Sequence, residues 1–537
     1  MAPQTVRRKE EVRRKKKEEK KKENKSVWPR RLNLINTAAW GAELCVCGSI
    51  GRSGRVVPMR SRTIRRLWPA LLACAIAPTL VDGAWGQQPD RPADVILVSG
   101  RVYTLDPDRP RAEAVAVRDG RILFVGSTAH VSALKGPATR VVNLQDMTVV
   151  PGFVDGHLHL ERLMETGPID LRESETEPAG PSSTPLTDRI EKSVQLALSY
   201  GVTGAHDVGT SLEAIDAYKS LIAAGKFPFR INAYPRVVNS GATLERILAA
   251  GRYQDANMRL QVRGISVSLD GSLGARQAAL LAPYSDDPST VGAVRVAPEE
   301  LDLILEKSLK AGFTAAIHAI GDRANQMALD AVEKALRQVP VKDHRIRIEH
   351  AEVLQPADVP RFADLGVLVS WQWIHAALDM PWAEKRIGSQ RMPTAYAWRT
   401  VMSTGARVLG GSDEGAKTFS PFMAIHAAVT RQDAKGTPRD GWYPAQKLTR
   451  EEALRSYTTD PAFAAFQEVR MGMIGPGKLA DLAVLSRDIM TIPVEDILRT
   501  EAVLTMVGGQ IVYERPLVKT APRRSAATAG PFVIAGM

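Results

Sequence analysis

Two histidines stand at the end of an apolar run in the stretch VVPGFVDGHLHL, residues 149–160. His157 and His159 are two positions apart, so their side chains point to the same side of an extended chain. Two imidazoles directed at one spot are suited to bind a metal ion. The alternative is a pair of hydrogen-bonded histidines in a core, and the pair by itself does not separate these two interpretations.

Polar residues also end most of the other strand-like segments in the middle of the chain. Eight such segments between residues 149 and 414 alternate with helix-like ones, which predicts a (β/α)8 barrel. The carboxyl ends of barrel strands meet at one rim, where barrel enzymes place their active sites. The residues expected at this rim are His157, His159, His206, Asp207, Asp270, His318, His350, His375 and Asp413.

Six of the nine histidines fall in this set, which favours a metal site over buried core histidines. Imidazoles together with one carboxylate are suited to zinc or a similar divalent ion. A catalytic zinc keeps one position open for water and lowers the pKa of that water to about 7. A carboxylate beside it can take the proton and pass it to a leaving amine.

The motifs VVPGFVDGHLHL, HAIGDRAN, RIEHAE, GGSDE and GPGKLADLAVLSRD resemble those of the amidohydrolase superfamily. Within it they are most similar to family 3, the branch that includes N-substituted formamide deformylases. The resemblance covers roughly residues 93–515 and implies a metal-dependent barrel with a composite β-sandwich domain. It implies that Asp413 is the proton shuttle, with His350 also acting in catalysis. The metal ligands that it implies are His157, His159, His318, His350 and Asp413.

One position departs from the family pattern. Relatives often carry a lysine on the fourth barrel strand, where it is carboxylated and bridges two metals. Ser266 stands at the matching place here, and no lysine lies between Lys226 and Lys307. A serine hydroxyl cannot form a carbamate, so a second metal is in doubt and one divalent ion, zinc or similar, is expected. The ligands expected for that ion, with His350 close by, are His157, His159, His318 and Asp413.

Other residues near the strand ends are candidates for contact with the substrate. His375 follows SWQW and could polarise a substrate carbonyl, or it could pack among the tryptophans. Asp270 and Arg276 follow the fourth strand and could shape the pocket. Trp371 and Trp373 belong to an aromatic-rich stretch that would line an apolar pocket or pack in the core.

The positive charge of the chain is concentrated near its start. The formal net charge is +12 over 537 residues, of which residues 1–31 carry +9 and residues 32–86 carry +4. The remainder is nearly neutral, so no nucleic-acid partner is expected for it. All three cysteines precede residue 87, which excludes a disulfide framework or a cysteine metal site in the rest of the chain.

Residues 1–58 include a basic, low-complexity run, expected to be disordered or to precede the true start of translation at Met59. A nucleic-acid-binding or membrane-surface arm is the alternative. Residues 59–86 have the form of a secretory signal peptide, with arginines before an apolar run. That run is short and contains Pro69 and Pro78, so no integral membrane span is expected. We expect export to the periplasm or the cell exterior, and the residues after Cys74 argue against a lipoprotein.

Strand-like segments after Gln87 have counterparts near the C-terminus. We therefore expect one composite β-sandwich domain, formed by residues 87–148 and 471–520. The barrel of residues 149–470 lies between these two segments in the sequence, and residues 521–537 form a tail.

Together these features predict an exported, metal-dependent hydrolase of a non-peptide C–N bond, such as an amide or formamide bond, in a small molecule. A cyclic-amide hydrolase or a deaminase on the same fold is one alternative, because one fold hosts many reactions. A catalytically impaired periplasmic binding protein is another. The sequence leaves a homodimer open.

Overall fold

The computed structural model describes residues 91–164, 184–413, 415 and 419–515. The predicted N-terminal extension (1–58), signal peptide (59–86) and C-terminal tail (521–537) lie outside these residues. All of the described residues fall in one unit of the chain, Gly83–Met537.

Short strands come first and last along the described chain, and strands alternate with helices between them. The strands are β1 (Val95–Val98), β2 (Arg101–Tyr103), β3 (Arg111–Ala112), β4 (Ala114–Arg118), β5 (Arg121–Gly126), β6 (Arg140–Asn143), β7 (Thr148–Pro151), β8 (Phe153–Leu158), β9 (Val202–Thr210), β10 (Arg230–Pro235), β11 (Tyr253–Gln254), β12 (Leu260–Val262), β13 (Gly264–Ser268), β14 (Thr314–Ala319), β15 (Arg347–His350), β16 (Leu368–Gln372), β17 (Val408–Gly411), β18 (Leu482–Leu485), β19 (Ala502–Val507) and β20 (Gln510–Glu514). The α-helices are α1 (Thr128–Ser132), α2 (Leu186–Ser199), α3 (Leu212–Ala223), α4 (Ala242–Ala250), α5 (Pro298–Lys310), α6 (Asp322–Gln338), α7 (Arg361–Leu365), α8 (Trp373–Asp379), α9 (Ala383–Ile387), α10 (Trp398–Met402), α11 (Pro421–Thr430), α12 (Arg450–Ser456) and α13 (Thr459–Ala464). Short 3-10 helices cover Met392–Thr394, Pro444–Gln446 and Val494–Arg499.

Two sheets are built from the ends of the described chain. One has the strand order β5-β4-β1-β6, and the other has the order β20-β19-β18-β7-β2-β3. In the second sheet β18 pairs antiparallel with β7, so that Leu482 lies opposite Pro151. Apolar residues of both sheets, such as Leu97 and Met506, pack in one core cluster. Strands from both ends of the described chain therefore share one sheet and one core cluster.

The middle of the chain is an α/β region with two five-stranded sheets, in which nine strands run parallel and only β11 runs antiparallel. Their strand orders are β11-β12-β10-β9-β8 and β13-β14-β15-β16-β17. Each of the eight predicted strand segments contains one of these parallel strands. The two sheets adjoin at both sides, because a parallel bridge joins Arg236 to Ser266 and because Ser412, just after β17, hydrogen-bonds to the carbonyl of His157 in β8.

The helices between these strands bury one face each. In α6 the buried residues recur at helical spacing, as in Ala324, Ala328 and Val332. Helix α5 begins with Pro298 and has Glu299 and Glu300 in its first turn, as expected for residues that favour a helix start. Across the described residues, the helices all lack the combination of length and apolar character needed to cross a bilayer.

A hydrogen-bond network fixes the start of α12. The Glu452 carboxylate accepts hydrogen bonds of 2.7 and 2.6 Å from Arg399 and one of 2.7 Å from the backbone N–H of Thr449. The Thr449 hydroxyl in turn accepts from the backbone N–H of Glu452, which completes a capping box. The hydrogen bonds from Arg399 are the main reason that the pKa of Glu452 is lowered to about 2.

We expect Glu452→Gln to lower the free energy of unfolding by about 1 kcal/mol at pH 7. Because the folded-state pKa is depressed, the stabilisation is present above the unfolded-state pKa of about 4.3 and is lost as the pH falls from there towards the folded value. Denaturant unfolding at pH 7 and pH 3 measures the difference. Glu451→Gln, on an exposed neighbour, is the control, and an equal loss in both variants would contradict the assignment.

Candidate metal centre

The carboxyl ends of four parallel strands bring histidines and one aspartate together. His157 lies in β8 and His159 follows it, while His318 lies near the end of β14. His350 is the last residue of β15, and Asp413 comes just after β17. Because parallel strands end at the same edge, these residues from distant parts of the sequence share one site.

The imidazoles converge on the Asp413 carboxylate. Its Oδ1 lies 3.3 Å from Nε2 of His157 and 3.1 Å from Nε2 of His159. Its Oδ2 lies 4.0 Å from Nδ1 of His350 and 3.8 Å from Nε2 of His375. The carboxylate of Asp413 therefore faces four ring nitrogens at once.

His318 joins the cluster through His350. Their ring centroids are 4.5 Å apart, and those of His350 and His157 are 5.1 Å apart. His157, His350 and Asp413 offer ligand atoms that lie within 4.8 Å of one another, and so do His350, Glu352 and His375. The structure thus brings together all five residues that the family resemblance implies as ligands.

The donor set fits a divalent metal ion. Burial lowers the pKa of His350 to about 4. Burial, together with the neighbouring charge of His350, lowers that of His318 well below its usual value. Neutral imidazoles offer a lone pair, which metal coordination requires. Moreover, Nδ1 of His350 is buried and makes no hydrogen bond to any described residue.

His157 is held between two carboxylates. Its Nδ1 lies 2.6 Å from Oε2 of Glu349, while its Nε2 faces Asp413. Burial alone would lower the pKa of His157, but Asp413 and Glu349 outweigh it and raise that pKa to about 9. Burial likewise opposes ionisation of Asp413, but His157 and the hydrogen bonds from His157 and His159 hold its pKa well below the usual range.

Sequence reasoning missed a buried ion pair beneath this cluster. Arg347 and Glu349 are both fully buried and bond to each other through two nitrogen–oxygen contacts. Arg347 also donates a 2.7 Å hydrogen bond to the carbonyl of Gly156, and lies 2.6 Å from Nδ1 of His206. Two opposite charges, two positions apart in one buried strand, were the signal that could have found this pair.

The prediction that His206 and Asp207 reach the rim is wrong. Strand β9 continues to Thr210, so both residues lie inside the strand and not at its end. His206 is buried beside Arg347, and the Asp207 carboxylate accepts a 2.6 Å hydrogen bond from the Tyr218 hydroxyl. These contacts belong to the core of the fold.

His375 does reach the cluster. It lies in the first turn of α8, and its ring is parallel to that of His350 at a centroid distance of 5.9 Å. Its Nδ1 lies 3.2 Å from Oε1 of Glu352. Glu352 therefore orients a histidine whose Nε2 faces Asp413, a contact that sequence reasoning did not include.

Asp270 and Arg276 do not line the cavity, which corrects the expectation that they contact substrate. Asp270 is fully buried, and its carboxylate accepts hydrogen bonds of 2.9, 3.0 and 2.9 Å from the backbone N–H groups of Ala279, Ile320 and Gly321. It therefore fixes a loop, although its Oδ1 is also 3.5 Å from Nε2 of His318. Arg276 bonds to the Asp286 carboxylate with two contacts of 3.1 Å.

Trp371 and Trp373 are core residues, so of the two alternatives for this stretch the packing role is correct for them. Both are almost completely buried. The indole of Trp371 donates to the carbonyl of Ala351, and that of Trp373 donates to the hydroxyl of Ser456. Trp382, from the same stretch, is the tryptophan that lines the cavity.

A cavity of about 330 Å³ opens beside the cluster. Its wall includes Ser266, the residue at the expected lysine position, and Ser268. These two residues are two apart in β13 and so face the same side. A cavity of this volume suits a small molecule.

Comparisons with known proteins agree with this geometry. The model of the amidohydrolase family matches residues 171–513. The YtcJ protein of Bacillus subtilis is 27% identical over 78% of this chain and 98% of its own length. The N-substituted formamide deformylase of Arthrobacter pascens is 24% identical over 79% of this chain and 98% of its own length.

Solved structures agree on the fold. An uncharacterized metal-dependent hydrolase from Pyrococcus furiosus superposes with a TM-score of 0.62 at 23% identity, over 74% of this chain and 100% of that one. The predicted family is confirmed by the family match, which spans most of the described residues. The chain belongs to the amidohydrolase family.

Proposed function

We propose that this protein is a metal-dependent hydrolase that cleaves a non-peptide C–N bond in a small amide or formamide-like molecule. The observation that carries the proposal is the Asp413 carboxylate, which faces imidazoles from β8, β15 and α8 at the edge of the cavity. The similarity to a formamide deformylase supports the bond type.

The ligands proposed for the metal are His157, His159, His318 and Asp413, with His350 close by. A bound divalent ion such as zinc would supply Lewis-acid polarisation of a carbonyl and a lowered pKa for water. We propose one such ion per chain, because the neutral hydroxyl of Ser266 cannot replace a carboxylated lysine as a bridge.

Asp413 acts as the proton shuttle in this proposal. Its carboxylate faces the proposed metal ligands, where it can accept a proton from the attacking water and deliver it to the leaving nitrogen. His375, held at Nδ1 by Glu352, presents Nε2 to the same space and is suited to polarise the substrate carbonyl. Glu349 fixes the orientation of His157 through Nδ1.

We also propose a larger architecture that supports this chemistry. The two five-stranded sheets would form one (β/α)8 barrel over residues 149–470, since they adjoin between β10 and β13 and between β17 and β8. The two terminal sheets would form a composite β-sandwich domain of residues 87–148 and 471–520, supported by their shared core cluster. Export is proposed from the signal-peptide form of residues 59–86, and sequencing the N-terminus of the natural protein checks it.

Removal of the metal tests the proposed function. We expect a panel of N-substituted formamides, linear amides and cyclic amides to include at least one substrate of the zinc-loaded protein. Chelation should lower turnover by about 100-fold or more, and added Zn²⁺ should restore it. Metal analysis of protein purified without chelator should give one tightly held ion per chain. Turnover that survives chelation would contradict metal dependence, and two tightly held ions would contradict the single site.

A further inference from the structure

Side chains of opposite charge line different sides of the cavity. Among the described residues, the arginines that line it are Arg162, Arg236 and Arg295, which follow β8, β10 and β13. The carboxylates that line it are Glu352, Asp379 and Asp413, which follow β15, β16 and β17. Because β8 adjoins β17, Arg162 borders the acidic side, and Arg236 and Arg295 form the basic side.

The acidic side is already satisfied by protein partners. Asp413 faces the histidines of the metal centre, and Glu352 contacts His375. The Tyr396 hydroxyl donates a 2.8 Å hydrogen bond to Asp379 and lies 3.3 Å from Glu352. These carboxylates therefore already have protein partners, and they position other side chains of the site.

The basic side is different. Arg236 and Arg295 are exposed to solvent, and neither makes an ion pair with a residue that the structure describes. Arg295 donates a 3.0 Å hydrogen bond to the neutral side-chain oxygen of Gln277. Among the described residues, no carboxylate lies within ion-pair distance of these two guanidinium groups, although such groups are commonly paired with carboxylates.

Two glycines leave room for these guanidinium groups. A Cβ atom at Gly209 would lie 3.3 Å from an Arg236 nitrogen, and one at Gly271 would lie 2.5 Å from an Arg295 nitrogen. Arg236 also lies beside Ser266 through the backbone bridge between β10 and β13. The basic side thus combines two arginine side chains with the hydroxyl of a neighbouring strand.

We propose that the substrate carries a carboxylate, which Arg236 and Arg295 bind on the basic side of the cavity. A guanidinium offers planar, paired N–H donors that match a carboxylate. The proposal rests on the proposed function for the identity of the bond that is cleaved, but the carboxylate site itself does not depend on turnover.

Binding to metal-free protein tests the carboxylate site. The probes are N-formylphenylalanine (as the racemate) and N-formylphenethylamine, which differ only in the carboxylate. Calorimetry on chelator-treated protein excludes both turnover and coordination of the probe to a metal. We expect the acid to bind about 10-fold or more tightly than the neutral probe, because a hydrogen bond to a charged group contributes about 1.5 to 3 kcal/mol.

Variants assign the preference to the two arginines. Arg236→Gln and Arg295→Gln should each weaken binding of the acid by about 10-fold and leave binding of the neutral probe unchanged. Arg252→Gln, on an exposed arginine outside the cavity, is the matched control and should change neither. Equal affinity for the two probes, no measurable binding of the acid, or an equal loss for both probes in the arginine variants would overturn the proposal. A failed amide screen would count against the proposed hydrolysis only.

Discussion

Asp413→Asn is expected to lower kcat by about three orders of magnitude on whichever amide the zinc-loaded protein hydrolyses best. The amide of asparagine has nearly the shape of the carboxylate, but it cannot accept and return a proton. Among the described residues, no other carboxylate faces both His157 and His159, so none of them can replace it. Steady-state kinetics at saturating substrate measure the change.

The control separates catalysis from metal loss. Metal content is measured on the same Asp413→Asn sample, and kcat is expressed per bound ion. Asp302→Asn, at an exposed ion pair with Lys334, removes a carboxylate elsewhere and should leave kcat unchanged. If Asp413→Asn retained wild-type turnover per ion, the assignment of Asp413 as the proton shuttle would be wrong.

The second large effect is on stability. Arg347→Leu should lower the free energy of unfolding by about 3 to 5 kcal/mol, because it leaves the buried carboxylate of Glu349 without its cation. The arginine also satisfies the carbonyl of Gly156, which would lose its donor. Burial raises the pKa of Glu349, but Arg347 and His157 outweigh this effect and hold that pKa well below its usual range. The Glu349 carboxylate is therefore ionised in the folded protein.

Denaturant unfolding of the chelated protein measures this loss without a contribution from metal binding. Arg337→Leu is the matched control, because its ion pair with Glu333 is on an exposed helix face and should contribute less than about 0.5 kcal/mol. The double variant Arg347→Leu with Glu349→Leu should recover part of the loss, since no unpaired charge remains. A double variant no more stable than Arg347→Leu would contradict the buried-pair explanation.

The parallel strands were the most predictable part of the fold. A strand buried on both faces appears in the sequence as a short apolar run, and the eight runs recognised in the middle of the chain each contain a strand of the structure. The ligand candidates were predictable for the same reason. His157 and Asp413 stand at the ends of such runs and reach the site, whereas Asp270, in a similar position, fixes a loop.

The errors concern where strands end and which way side chains point. His206 was expected at the rim because it lies near the end of an apolar run, but β9 continues for four residues beyond it to Thr210, and its side chain lies in the core. Trp371 and Trp373 lie two positions apart in a stretch whose sequence fits either a pocket or a core. Their indole hydrogen bonds to Ala351 and Ser456 exist only because segments far apart in the sequence pack together.

The sequence by itself determined the types of residue available for chemistry and the strands that carry them. It also determined the family, through motifs that are local. Only the tertiary structure decided which polar residues share a cavity, because that depends on strand pairing across long separations, as between His157 in β8 and Asp413 after β17. The same long-range packing buried the charges of Arg347 and Glu349 together and left Arg236 and Arg295 facing the cavity. Residue type alone does not show which arginine is buried and which face the cavity.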